Sequence, residues 1–317
     1  MRRRPCLRVW CGSAAGALTA VGLVAMLTAP PAAAQTPVPD VEVSWVPGRP
    51  VVGTLFVVRL RATGATSVLE FAGSFAGEPL HFLRSERPAG ESAASGTLSW
   101  AVAAVPVDAA DSLELEVHVR WSDGRVRAIT GAVPLAVGSY RMERLAVAPR
   151  FGSPLSPELR QRTEEETARA MQVARGAHGT PPLWTSDGFI RPRAARITSG
   201  FGNGREFNGQ VQSRHMGTDI DGDVGDPVLA AAAGIVQLVD AFYLGGTVVY
   251  VDHGGGLSTG YLHLSETLVQ QGDTVRAGQR IGSVGASGRV TGPHLHWIVR
   301  YGGVTVDPLS AVELEVP

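Results

Sequence analysis

The chain has 317 residues, with 28 basic side chains, all arginine, against 29 acidic ones and a formal net charge of −1. That length leaves room for two domains with cores of their own, and the near-neutral balance excludes a nucleic-acid binder, which needs a basic surface. Both cysteines, Cys6 and Cys11, lie in the first eleven residues, so a chain without its leader has no disulfide and its cores must stand unaided.

The leader reads first. Met1-Arg2-Arg3-Arg4 and Arg8 form a basic head, Cys11 to Thr28 is an unbroken weakly polar and apolar run, and Ala32-Ala33-Ala34 precedes Gln35. This is the layout of a secretory signal peptide over residues 1–34, with cleavage expected after Ala34. The alternative is a retained membrane anchor, since the run could just span a bilayer. Its Ala and Gly content and the nearby Ala-x-Ala site favour cleavage. The expected destination is the periplasm or cell envelope, with no stable membrane insertion afterwards. Removing the leader leaves 24 basic against 29 acidic residues.

Residues 35–147 alternate like strands. Leu55-Phe56-Val57-Val58-Arg59-Leu60, Leu98 to Val102 and Leu113 to Val119 are apolar or alternating runs, and Ser122-Asp123-Gly124 is a hairpin signal. Turn signals about every ten residues predict an antiparallel β-sandwich. His81 and His118 lack ligand-spaced neighbours and read as ordinary strand residues. Ser156-Pro157-Glu158 then opens a helix that ends near Gly176. Its thin apolar stripe, Leu159, Thr163, Ala170 and Val173, suits a connector lying against one domain, within a linker region spanning 148–190.

From 191 to 317 the chain holds 22 of the 39 glycines, a density that a helix would not survive, so a tightly turned all-β domain is expected. Within it Gly292-Pro293-His294-Leu295-His296-Trp297 places two imidazoles on one face of a strand. His215-Met216-Gly217-Thr218-Asp219 offers a histidine and a carboxylate about 13 Å apart if extended, too far for one metal ion. The chain must bend there, and Gly217 would permit it. Tyr261-Leu262-His263-Leu264 alternates again, with Tyr261 and His263 expected on one face. His215, Asp219 and one of the HxH pair make a two-histidine, one-carboxylate set of the kind that holds a catalytic zinc ion and keeps a fourth position for water. The remaining histidines would polarise or move protons.

The order His-x-Gly-x-Asp-Ile, then Gly225-Asp226-Pro227-Val228-x-Ala230, then Tyr-x-His-Leu, then Thr291-Gly-Pro-His-Leu-His resembles the lysostaphin/LytM-type zinc metallopeptidases, metallopeptidase family twenty-three, over roughly residues 191–310. The run from Gly285 to Trp297, followed by Val306-Asp307-Pro308, is similar to the Gram-negative branch. The resemblance implies a mainly β chain: an N-terminal antiparallel β-sandwich, a helical connector and a C-terminal lysostaphin-like domain with a central antiparallel sheet. It implies one zinc ion per chain, held by His215, Asp219 and His296, with His263 and His294 as the catalytic pair. It implies hydrolysis of peptide cross-links between peptidoglycan stem peptides, a D-alanyl–diaminopimelate link if the source is Gram-negative. His253 sits where the family often has a histidine outside the metal shell. Ser287 replaces a common threonine. Ile298 stands where many members carry an acid that could support the ligating imidazole.

The competing expectation is an inactive regulator of the same fold that binds peptidoglycan or activates another wall hydrolase. All five site positions are filled, which favours the enzyme. A chain beginning near Leu183 is expected to be at least as active as the longer one if the sandwich occludes the groove.

Overall fold

The computed structural model describes residues 41–62, 68–85, 97–184 and 188–317. The expected signal peptide and cleavage site lie outside the described residues. Among the described residues no helix is long and apolar enough to cross a membrane.

The alternation of Leu113 to Val119 becomes the strand Ser112–Trp121, whose side chains alternate between buried and more exposed faces. It pairs with Val68–Phe75 and Val126–Pro134, and Glu78–Pro79 completes an antiparallel four-stranded sheet. A second antiparallel sheet runs Val41–Val46, Leu55–Ala62, Thr97–Ala104 and Leu83–Arg84. Phe56, Leu60, Phe75, Leu115, Val117 and Trp121 fill the space between the two. Trp121 and Phe56 are each fully buried, and each such aromatic contributes on the order of 2–3 kcal/mol by leaving water.

Leu55–Ala62 shows why an apolar run can lack alternation. Phe56, Val58 and Leu60 face the sandwich interior, whereas Leu55 and Val57 join the core of the carboxy-terminal sheet together with Trp100 and Trp184. The Trp100 and Trp184 rings meet edge to face at 6.0 Å. This strand is covered on both sides, as its composition requires.

The helix Pro157–Gly176 starts where serine and proline predict, with Ser156 Oγ accepting the Leu159 N–H. Its buried positions are Glu166, Ala170 and Ala174 rather than the expected stripe, of which Ala170 alone is fully buried. Small residues allow the helix to lie close to the large sheet, against Phe242, Tyr250, Leu262 and Ile298. Glu166 is tolerated there because it accepts hydrogen bonds from Arg162 Nε and the Tyr243 N–H.

The large sheet runs Ile197–Ser199, Thr218–Asp221, His294–Tyr301, Leu257–Thr267, Gly246–Gly254, Gly234–Phe242 and Thr274–Val275, antiparallel throughout. One face carries Leu295, Trp297, Val299 and Tyr301 into the core. The other carries His294 and His296 toward the site and Ile298 against the helix. A further sheet has no counterpart in the expectations above: Met142–Leu145 pairs in parallel with Gly204–Phe207, which pairs with Val211–Arg214.

His253 is fully buried in the large sheet, with Nδ1 donating to the Ala233 carbonyl and Nε2 near Thr259 Oγ1 at 2.8 Å. Burial lowers its pKa from 6.5 to about 4. The folded chain therefore resists a proton that the unfolded chain accepts. Stability from this group is full above pH 6.5 and is lost as the pH falls toward 4, up to about 3 kcal/mol. Urea titrations of His253→Gln should show a flatter pH dependence across that window than the parent chain; an unchanged slope would assign the acid sensitivity elsewhere.

Candidate metal centre

The register of two neighbouring strands creates the site. Asp219 on Thr218–Asp221 lies directly opposite His296 on His294–Tyr301, and Asp221 lies opposite His294. Asp219 Oδ1 is 2.7 Å from His296 Nδ1. His215 reaches the same oxygen because the chain turns between Arg214 and Thr218. Its Nε2 is 3.0 Å from Asp219 Oδ1 and 3.0 Å from His296 Nδ1. Three candidate ligand atoms thus converge from side chains that are all buried.

Gly217 serves this turn through space rather than through unusual backbone angles. A Cβ there would lie 2.6 Å from the Trp297 carbonyl oxygen and 2.7 Å from two His296 ring atoms. Gly217→Ala should force the His296 ring aside at a steric cost of about 1–3 kcal/mol. Zinc competition against a chelating dye should record the loss as weaker affinity; parent-like affinity would mean that the ring has room to spare.

The donor set fits a zinc ion. His215 Nδ1 donates to the Gly200 carbonyl at 2.8 Å, leaving Nε2 with its lone pair facing the carboxylate. Burial opposes charge on Asp219, yet the neighbouring His215 and His296 hold its pKa well below the usual carboxylate range. Burial lowers His296 to about 4, against the pull of Asp219. An ionised carboxylate and neutral imidazoles are the protonation states that bind zinc.

His263 and His294 flank these three. Their ring centroids are 5.0 Å apart, and His263 is 5.8 Å from His296. His263 Nδ1 donates to the Ser287 carbonyl and His294 Nδ1 to the Gly292 carbonyl, each at 2.8 Å. Both rings therefore present a bare Nε2. The His294 Nε2 lies 3.6 Å from Asp219 Oδ1. Burial, together with the nearby His296 and His294, keeps His263 well below the ordinary histidine range. It is a neutral base at neutral pH.

The expected alternation fails at one point. Tyr261 and His263 do not share a face, because His263 has φ +65°. Tyr261 enters the core and its hydroxyl accepts the Ala231 N–H, whereas His263 turns toward His294 and His296. Left-handed backbone at a non-glycine residue is strained and persists where its surroundings impose it. Here the His263 N–H bonds to Gly245 and the ring to Ser287. Ser287 itself is held by the Thr247 N–H and by its own bond to the Leu264 carbonyl. Ile298 is buried against the helix and offers no support to His296.

Support comes instead from residues that the sequence reading missed. Arg205 pairs with Asp219 and with Glu143, the latter at 3.2 Å. Ser199 Oγ is 3.0 Å from His215 Nδ1 and 2.8 Å from both Glu143 oxygens. Asn203 Nδ2 donates to Glu143 at 2.8 Å. Glu143 lies on Met142–Leu145, the strand paired in parallel with Gly204–Phe207. Its carboxylate therefore stands behind two of the three candidate ligands. The short alternating run Met142-Glu143-Arg144-Leu145 was the sole local signal, and parallel pairing leaves no turn signature to extend it.

An antiparallel sheet presents two histidines and an aspartate around one point, with two further imidazoles alongside, which is a donor set for a metal ion with proton-transferring groups beside it. Residues 213–308 match the family model Peptidase family M23. The chain is 40% identical over 121 residues to peptidoglycan DD-endopeptidase ShyC of Vibrio cholerae, covering 38% of this chain and 28% of that protein. It is 35% identical over 153 residues to DD-carboxypeptidase/endopeptidase Mpg of Neisseria gonorrhoeae, covering 48% and 33%. The chain thus spans about a third of the length of these relatives. A crystal structure of an M23 peptidase from Pseudomonas aeruginosa superposes with a TM-score of 0.61 at 27% identity, covering 83% of this chain and 95% of that one.

Proposed function

We propose that the chain is an exported, zinc-dependent endopeptidase that hydrolyses peptide cross-links of peptidoglycan in the cell envelope. Residues 191–317 would form the catalytic domain, 35–147 a sandwich module and 148–190 the connector, behind a leader over 1–34. The observation that carries the reading is the pair of bare Nε2 atoms on His263 and His294 beside the converging His215, Asp219 and His296. The names of the relatives, DD-endopeptidases and a DD-carboxypeptidase/endopeptidase, support a bond between two D-centres as the one cut.

His215, Asp219 and His296 would hold the zinc ion, which when bound supplies Lewis acidity and lowers the pKa of a water toward 7. The remaining work falls to the imidazoles. A bare Nε2 on one of them accepts a proton from the attacking water and passes it to the leaving nitrogen as the peptide C–N bond breaks, which restores the bare Nε2. Arg205 keeps Asp219 oriented and charged throughout by pairing with the oxygen turned away from the histidines.

The test is release of soluble peptides from purified peptidoglycan sacculi, with and without a chelator. Chelator-sensitive release supports the enzyme. A chain that binds zinc and sacculi but releases nothing, alone or after zinc loading, would support the regulator reading instead.

A further inference from the structure

The groove around the site carries more positive charge than its own acids neutralise. Two cavities, of about 240 and 290 Å3, flank the histidine cluster, and Arg205, Phe207 and Arg289 line both. Arg205 is committed to Asp219 and Glu143. Arg289 is not: among the described residues no carboxylate or carbonyl accepts from its guanidinium, which lies 4.0 Å from the centre of the Phe207 ring. Burial and the neighbouring Arg205 lower its pKa to about 10, so it remains a cation at neutral pH. The acids that could reach the groove are already used. Glu166 accepts from Arg162 and the Tyr243 N–H, and Glu143 accepts from Ser199, Asn203 and Arg205.

A second observation points the same way. Arg300 lies on the same strand face as His296, two alternations further on, and lines the larger cavity. It is 9% exposed, and its Nη1 has no partner among the described residues. Its Nε donates to Thr305 Oγ1 and its guanidinium lies over the Tyr250 ring. The buried, unpartnered Nη1 of Arg300 and the Arg289 guanidinium, which lies against the Phe207 ring without an acceptor, leave the groove receptive to an anion.

We propose that Arg289 is a specificity-determining residue that binds a carboxylate on the carbon bearing the leaving nitrogen of the substrate. This rests on the cross-link reading above. When D-alanine is joined to the D-centre of a diamino acid, the carbon attached to the scissile nitrogen also carries a free carboxylate. That charge lies within a few bond lengths of the carbonyl under attack. Arg289, in the loop that leads into His294, lines both cavities beside the cluster and offers a planar fork that matches a carboxylate. Arg300 marks the far end of a groove suited to an anionic peptide.

The test uses the full chain and two synthetic cross-linked stem-peptide dimers, identical except that this carboxylate is free in one and a carboxamide in the other. The zinc-loaded parent should prefer the free acid in kcat/KM by on the order of 10–100-fold. Arg289→Gln should bring the ratio toward one, and Arg289→Lys should leave it between, with zinc content at the parent level in both. Binding of the two dimers to chelator-treated chain, by calorimetry, should show the same preference and does not require cleavage. A ratio near one for the parent, or an undiminished ratio in Arg289→Gln, overturns the proposal. Selective binding of dimers that are never cut would keep Arg289 in this role and overturn the endopeptidase reading instead.

Discussion

His296→Ala should lose the metal, and His294→Ala should keep it while losing turnover. The two residues are separated by one position on the same strand face, yet the register treats them differently. His296 lies directly across from Asp219 and touches its Oδ1 at 2.7 Å, whereas His294 is opposite Asp221 and approaches that oxygen only to 3.6 Å. Removing a ligand should weaken zinc by more than the 10–100-fold that loss of a supporting partner costs. Removing His294 takes a proton-transferring group, for which a loss of about 10²–10⁴ in kcat is the ordinary scale. Zinc content by atomic absorption, measured beside turnover on sacculi, separates them. Equal zinc and equal activity in both variants would mean that the roles are assigned wrongly.

A chain beginning at Leu183 should bind zinc more weakly and turn over more slowly than the chain beginning at Gln35. The sequence left open whether the sandwich inhibits or positions substrate, and at least equal activity was the expectation if it occludes the groove; the contacts of Glu143 favour lower activity. Glu143 accepts hydrogen bonds from Ser199, Asn203 and Arg205, and through Ser199 and Arg205 it backs His215 and Asp219. Truncation removes that carboxylate and leaves the partly buried Arg205 guanidinium and Ser199 hydroxyl short of an acceptor. Glu143→Gln in the full chain isolates the effect from loss of the sandwich and helix. Its zinc affinity should fall by about 10–100-fold with the circular dichroism spectrum retained. Zinc affinity and turnover of residues 183–317 at or above the longer chain's would show that Glu143 contributes nothing the shorter chain needs.

What could be read from the sequence follows the range of the forces involved. The HxH strand was legible because a period of two is local, and the bend at Gly217 because the reach from His215 to Asp219 is a matter of chain length. His263 was legible as a residue but not as a direction. Its left-handed backbone is imposed by Gly245 and Ser287, 18 and 24 positions away in the chain. The helix was legible in its cap but not in its buried face, because Glu166 is buried by partners that only the fold brings near. Glu143 was invisible for the same reason, at a larger separation: it meets Arg205 62 positions on, through parallel pairing that no turn residue announces.

The most direct measurement is anomalous diffraction at the zinc edge from crystals of the zinc-loaded chain. One peak at about 2.0–2.2 Å from each of His215 Nε2, Asp219 Oδ1 and His296 Nδ1 is the expected result. A peak that uses His263 or His294 in place of any of these, or no peak at the cluster from zinc-loaded crystals, would contradict it.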